Sequence, residues 1–210
     1  MANNDYISKI SKDDILVSKI KVLLPKLFQI AEIESSRAGK IGMEVGTIRE
    51  RIIVAMLIHK FGKEKIYTQL PATEPETDVI LDGNEISIKT ITGNGGVKAV
   101  WTVDASKANE FIENYTPKCD IILVKICWGT NDGGFFLIPL SVQKETLRML
   151  NKGYLKMPKA GTNPRGVEFS KNAMDRMLSH RDTMRIQVNW EKEKIEYDNY
   201  ARWVDYWSMK

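Results

Sequence analysis

Apolar positions along the chain recur at helical spacing in the first sixty residues and at strand spacing further on. Residues 13–34 carry an apolar residue every three or four positions, which predicts a helix that Pro25 kinks or divides. A second helix is predicted from about Glu44 to Phe61. Its run IIVAMLI, 52–58, is apolar on every side, and this pattern is typical of a buried helix.

Shorter segments in the rest of the chain predict a mixture of strands and helices. Strands are predicted for KIYTQL, KAVWTV, CDIILVKICW, GFFLIPL and MRIQVNW. Helices are predicted for 106–115, 141–151, 164–180 and 194–207. A chain of 210 residues with this mixture predicts a single α/β or α+β domain.

The segment TDVILDGNEISIKTI predicts a hairpin, because Asp82-Gly83 is a favoured pair for a type I′ turn. A two-residue turn sets the register, in which Asp78 faces Ser87 and Lys89 is its diagonal neighbour on the same face. The opposite face of the hairpin is apolar and contains Val79, Leu81, Ile86 and Ile88. One face therefore belongs to a core, and the other brings a carboxylate and an ammonium within side-chain reach.

Glu50 shares the stripe of the second helix that is expected to cover the sheet. A lone carboxylate that points inward is unfavourable, and a cation in the cleft would offset that cost. We expect Glu50 and Asp78 to hold the cation, with Lys89 beside it and Glu85 as a reserve ligand.

A purely structural interpretation is also open. Asp78 and Lys89 can form a cross-strand ion pair, which contributes less than about 1 kcal/mol when exposed. Glu50 can in turn pair with Arg49, Arg51 or Lys89. The structural interpretation requires both conditions together, and we therefore favour an active site.

A Glu on a helix, an Asp at the start of a strand and a Lys on the next strand resemble the PD-(D/E)XK nuclease family, which includes most type II restriction endonucleases. Within it the chain is most similar to the ThaI restriction enzymes. The stretch KIGMEVGTIRE, 40–50, and its spacing to Asp78 and Lys89 carry the resemblance. It covers the first half of the chain.

The motif departs from the family pattern at two positions. Thr77-Asp78 stands where Pro-Asp is expected, and Ser87 stands where an acid is expected two residues before Lys89. The resemblance implies that Glu50, on the helix, substitutes for that missing acid.

The resemblance implies a restriction endonuclease-like fold, with a mixed central sheet flanked by helices. It also implies that Glu50, Asp78 and Lys89 are catalytic, and that Mg²⁺ is held by Asp78, Glu50 and the backbone carbonyl of Ile88. The expected substrate is double-stranded DNA with a short palindromic site, CGCG cut to blunt ends. The expected partners are a second copy of the chain, as a homodimer, and a cognate DNA methyltransferase as a genetic partner. The catalytic core is expected at about 44–140, and the part at about 141–210 is expected to serve DNA contacts or dimerisation.

Three loops contain residues suited to DNA contact. The candidates are Met43, Arg37, Lys40, Asn94, Lys98, Asn163 and Arg165. Met43 either packs as a hydrophobic staple on the helix that follows or enters DNA as an apolar wedge between base steps. Asn163 and Arg165 either read guanine edges or cap a helix.

Composition limits the other classes of function. A net charge of +4 and a pI of about 8.9 permit nucleic-acid binding without establishing it. Two cysteines and two scattered histidines argue against a zinc site, which leaves a hard cation held by oxygen. No apolar run approaches the roughly 20 residues of a membrane span, and the first residues lack a signal-peptide core, so we expect a cytoplasmic protein.

The aromatic residues of the tail recur at helical spacing, which favours a core or a dimer interface over a platform on which bases stack. They are Tyr197, Tyr200, Trp203, Tyr206 and Trp207. Two other functions remain open for the whole chain. One is a structure-specific nuclease on the same fold, such as a junction resolvase or a repair nicking enzyme. The other is a DNA-binding protein without catalytic activity.

Overall fold

The structure is a computed structural model that describes residues 5–37, 40–42, 44–71, 76–100, 108–156 and 166–209. Its α-helices in these ranges are α1 (Asp5–Ser11), α2 (Asp14–Glu34), α3 (Val45–Phe61), α4 (Ala108–Asn114), α5 (Leu140–Leu150), α6 (Lys171–Ser179) and α7 (Ala201–Ser208). Its strands are β1 (Ser36–Arg37), β2 (Lys40–Ile41), β3 (Ile66–Tyr67), β4 (Val79–Leu81), β5 (Asn84–Thr92), β6 (Lys98–Val100), β7 (Asp120–Ile126), β8 (Gly134–Ile138), β9 (Leu155–Lys156), β10 (Val167–Phe169) and β11 (Met184–Gln187).

A six-stranded mixed sheet forms the centre, in the order β11-β8-β7-β5-β4-β3. Strands β5 and β7 are parallel, and the other neighbouring pairs are antiparallel. Strands β7 and β8 are buried along nearly their whole length, as their continuous apolar runs predict for central strands. A smaller sheet in the order β6-β10-β9 lies beside it. The predicted mixed α/β architecture is confirmed.

Each face of the central sheet packs into its own apolar core. On one face α1, α2 and α3 bury residues such as Phe28 and Leu57 against Ile88 and its neighbours. On the other face α5, α6 and the smaller sheet bury residues such as Tyr154 and Phe136. Side chains alternate between the two faces of a strand, and β5 lies between the two cores, so alternate residues of β5 face different cores.

Helix α2 continues through Pro25 as a single helix and is capped by Asp13, whose carboxylate accepts from the Leu16 amide at 2.9 Å. Helix α3 ends at Gly62, as its apolar pattern predicts. The expectation that α3 is buried all round is wrong, because only Ile53 and Leu57 among its apolar residues are fully covered. The sheet covers a single stripe of the helix, and α2 shields the adjoining apolar residues only in part.

Two predicted helices are shorter than their patterns suggest. In the segment 164–180, Val167–Phe169 forms β10, because Val167 and Phe169 alternate with a more exposed residue and are buried. The helix α6 begins only after Ser170, whose hydroxyl accepts from the Ala173 amide at 3.1 Å. The tail is helical only over α7.

The aromatic residues of α7 and its N-cap residue are exposed in the single chain, so the interpretation of these residues as part of a core is wrong. They are Tyr200, Trp203, Tyr206 and Trp207. Their interpretation as a dimer interface stays a prediction. In the described ranges, no helix has both the length and the apolar character that crossing a membrane demands.

Candidate active site

The hairpin of β4 and β5 turns at Asp82 and Gly83, whose φ angles of 47° and 80° are both positive, as a type I′ turn requires. The predicted register is present, with Leu81 opposite Asn84 and Val79 opposite Ile86. The pairing extends beyond β4, because the Asp78 amide donates to the Ile86 carbonyl at 3.0 Å. This bond holds the Asp78 backbone against β5.

One carboxylate oxygen of Asp78, Oδ2, accepts three hydrogen bonds. The donors are the Ser87 hydroxyl at 3.1 Å, the Ile88 amide at 2.6 Å and the Lys89 ammonium at 3.4 Å. The side chain of Lys89 is 11% exposed and that of Asp78 25% exposed, so this ion pair is largely shielded from solvent. Ser87 is buried and supplies a hydroxyl to Asp78 where the family pattern has an acid.

The carbonyl of Ile88 points toward Asp78. In an extended strand the N–H and C=O of one residue are directed to the same edge. The Ile88 amide donates to Asp78 rather than to a strand, since β4 pairs with β5 no further than Val79 and Ile86. The Ile88 carbonyl therefore faces the same side as the Asp78 carboxylate.

Glu50 lies near this pair from the side of α3. Burial raises the pKa of its carboxyl, and the nearby Asp78 carboxylate raises it further, while Lys89 and Arg51 act in the opposite direction. Arg49 does not pair with Glu50, because its guanidinium forms an ion pair with Glu32 at 2.6 Å. The structure thus brings Glu50, Asp78 and Lys89 together.

The donor set fits a hard divalent cation. Two carboxylates and a backbone carbonyl are all oxygen ligands, and Mg²⁺ in proteins takes one or two carboxylates and keeps several waters. The Asp78 carboxylate disfavours ionisation of Glu50, and a cation between them would remove that penalty. Within the part of the chain that the structure describes, no group of three or more His, Cys, Asp or Glu side chains could hold a metal. The candidate set therefore depends on the Ile88 carbonyl and on water for its further ligands.

A third acidic residue near the site, Glu76, does not stand out in the sequence. It is buried, and the Tyr115 hydroxyl donates to its carboxylate at 3.4 Å. Burial raises its pKa, and Lys118 and Lys89 partly oppose that shift. Glu76 precedes Asp78 by two residues, and this period of two is the signal that could have identified it. Glu85, the reserve ligand, is exposed and accepts from the Thr77 hydroxyl at 3.3 Å.

The predicted DNA-contacting residues lie at several places. Met43, Asn163 and Arg165 lie outside the described residues. Arg37 and Lys40 pair across the short β1–β2 ladder, with Lys40 exposed and the side chain of Arg37 outside the described part of the chain.

Asn94 and Lys98 follow the strand that carries Lys89. Asn94 is exposed in the turn after β5 and Lys98 is half-buried in β6. Asn94 lines a cavity of about 530 Å³ between the central sheet and α6, together with Lys125, Lys156 and Lys171. This cavity lies on the face of β5 that carries Lys89, and two of its lysines pair with carboxylates of the same lining, Lys156 with Glu168 and Lys171 with Asp175.

Comparison with known proteins identifies the family. The chain matches the family described as "Restriction endonuclease ThaI" over residues 10–209. It is also similar to a solved structure described as a restriction endonuclease in complex with substrate DNA, with 49% sequence identity and a TM-score of 0.88. That match covers 97% of this chain and 99% of the other. Comparison with curated protein sequences gives no significant match. Since the family match extends over nearly all of the chain, the protein belongs to the ThaI restriction endonuclease family.

Proposed function

We propose that the protein is a type II restriction endonuclease that hydrolyses phosphodiester bonds in double-stranded DNA at a short palindromic site, with Glu50, Asp78 and Lys89 as its catalytic residues. Membership of the family makes it a restriction endonuclease. One observation carries the assignment of the site. Asp78 binds the Ile88 amide and the Lys89 ammonium through the same oxygen, and the Glu50 carboxyl lies near enough to both charged groups for them to shift its pKa.

Asp78, Glu50 and the carbonyl of Ile88 would hold Mg²⁺. When bound there, the cation neutralises charge on the phosphate and lowers the pKa of an attacking water. Lys89 donates hydrogen bonds to the nonbridging phosphate oxygens, on which charge develops in the transition state, and orients the water. Asp78 keeps the ammonium of Lys89 in place through their 3.4 Å contact. The buried carboxylate of Glu76 adds negative potential near Lys89.

Recognition of DNA is proposed for the three loops named above. Met43 acts as a wedge between base steps, while Arg37, Lys40, Asn94, Lys98, Asn163 and Arg165 contact phosphates or base edges. The related solved structure contains substrate DNA, which supports duplex DNA as the partner. The proposed site is CGCG cut to blunt ends. A palindrome requires a homodimer with one active site for each strand, and a cognate methyltransferase would protect the host DNA.

The test is incubation of the purified protein with unmethylated phage DNA and Mg²⁺. We expect discrete fragments from the wild type and none from Asp78→Ala. Asp5→Ala is the matched control, because Asp5 is an aspartate on the surface of α1, is 50% exposed and pairs with the exposed Lys9. Mapping the fragment ends would reveal the recognition sequence and the type of cut.

Other outcomes of this digestion would favour the alternatives. Cleavage of branched or mismatched DNA, with linear duplex left intact, would indicate a structure-specific nuclease. Intact DNA under all of these conditions, despite a gel shift, would indicate a binding protein without catalytic activity.

A further inference from the structure

Arg49, the residue before Glu50 on α3, is a buried cation held by partners from other elements. Its side chain is 5% exposed, and its guanidinium donates to the Glu32 carboxylate at 2.6 Å and to the Thr92 hydroxyl at 3.0 Å. The guanidinium also lies 5.5 Å from the centre of the Phe28 ring. A buried charge persists only when it is paired, so these contacts determine where this side chain can lie.

Glu32 is the centre of this network. Its side chain is 5% exposed, and both of its oxygens are used. Oε1 accepts from Arg49 and from the Trp128 indole N–H at 2.8 Å, while Oε2 accepts from the Lys192 ammonium at 3.1 Å. The network thereby connects α2, α3, the segment after β7 and the chain before α7.

The start of α3 is open on the side of Gly46. A side chain at Gly46 would meet nothing within 4 Å, so this turn is open to its surroundings. The buried residues of α3 are Arg49, Ile53 and Leu57, and Arg49 is the first of them along the chain.

Neighbouring residues on an α-helix point about 100° apart. Fixing the direction of Arg49 therefore fixes the direction of Glu50. The second bond of Arg49 goes to Thr92, at the end of the strand that carries Lys89 three residues earlier. We propose that Arg49 is a positioning residue, which sets the rotation of α3 relative to β5 and so directs Glu50 toward Asp78 and Lys89. This inference rests on the proposed role of Glu50 as a metal ligand.

Arg49→Lys and Thr92→Val test the proposal. Lysine keeps the charge but lacks the planar fork that reaches two acceptors, and valine keeps the shape of Thr92 without its hydroxyl. We expect both variants to bind Ca²⁺ about 10–100-fold more weakly in calorimetry, as is common when groups that orient a metal ligand are removed. Cleavage at limiting Mg²⁺ should fall by a similar factor. Amides 48–53 should exchange hydrogen faster in the metal-free protein.

Lys60→Met is the control for a merely structural role. Lys60 forms an ion pair with Asp13 that also joins α3 to α2, but at the far end of the helix. This variant should lower the unfolding temperature and leave Ca²⁺ affinity unchanged.

The positioning role would be overturned if Thr92→Val had the same Ca²⁺ affinity and hydrogen-exchange rates as the wild type, provided that the wild type cleaves DNA. Thr92→Val also decides the question if Arg49→Lys fails to fold. A wild type that neither binds Ca²⁺ nor cleaves DNA would instead overturn the proposed function and this inference together.

Discussion

The Lys89 ammonium donates a hydrogen bond to the Asp78 carboxylate, yet we expect the two residues to serve different purposes. The Asp78 carboxylate is held by two neutral donors of β5 as well as by Lys89, so its place does not depend on the ammonium alone. Removing Lys89 should therefore preserve the fold of the site and delete one charge.

Lys89→Ala should lower the rate of cleavage by about 10²–10³-fold, the typical loss when one donor to transition-state charge is removed. DNA affinity measured by gel shift in Ca²⁺ should stay near that of the wild type. Lys9→Ala is the control, because Lys9 pairs with Asp5 on the exposed surface of α1. A Lys89→Ala enzyme that cleaves at the wild-type rate would contradict the assigned role.

Glu50→Gln should stabilise the metal-free protein while abolishing cleavage. The pKa of Glu50 is raised by burial and by Asp78, so the protonated form is favoured in the folded state. That contribution to stability is complete at low pH and is lost as the pH rises through the folded-state pKa. In EDTA at pH 8, Glu50→Gln should thus melt at a higher temperature than the wild type.

The difference in melting temperature should vanish in acid, where Glu50 of the wild type is protonated. Adding Mg²⁺ should raise the unfolding temperature of the wild type more than that of the variant, since a ligand stabilises the state that binds it. The exposed Glu64 supplies the control, Glu64→Gln, which should behave as the wild type in both assays. An equal response to Mg²⁺ in Glu50→Gln would argue against Glu50 as a ligand.

At the scale of elements, the site depends on a short hairpin and on one end of a helix. Strand β4 has three residues, and its pairing with β5 stops where Asp78 begins to bind β5 through its side chain. The turn at Asp82 and Gly83 therefore determines which residues of β5 face Asp78. A substitution in the turn should therefore affect the site by changing the register of the hairpin.

Gly83→Ala should lower the free energy of unfolding by about 1–2 kcal/mol, because an L side chain is unfavourable in the left-handed region. Its φ is 80°, and a side chain there would meet no neighbour within 4 Å, so the conformation alone accounts for the loss. Gly129→Ala is a matched control with the same φ and equally open space. Urea denaturation should show similar losses, while the cleavage rate should fall only in Gly83→Ala.

At the scale of the whole molecule, a twofold-symmetric DNA site requires two active sites in a defined spatial relation. A single chain has one constellation of Glu50, Asp78 and Lys89, and the aromatic side chains of α7 are exposed in it. Sedimentation equilibrium should therefore report twice the 24.0 kDa mass of the chain. A protein that stays monomeric both alone and on DNA would contradict the homodimer and favour a nicking enzyme.

Sequence patterns predicted most elements and the geometry of the hairpin. The Asp82-Gly83 turn and the alternation along β5 were enough to place Asp78 opposite Ser87, because both are local properties of the backbone. They were not enough for the segment 164–180, where a buried strand precedes the helix and burial outweighed the helical spacing. Nor did they identify Glu76, whose carboxylate accepts a hydrogen bond from Tyr115, a residue distant in the chain.

Patterns along the chain were enough for most of the elements and for the register of β4 on β5, since both arise from neighbouring residues. Which charge pairs with which depends on tertiary packing. Arg49 pairs with Glu32, which is 17 positions away in the chain. Glu32 also accepts hydrogen bonds from Trp128 and Lys192, which are 96 and 160 positions away. Such contacts form when packed layers exclude water and bring distant segments together, and a pattern along the chain carries no record of them.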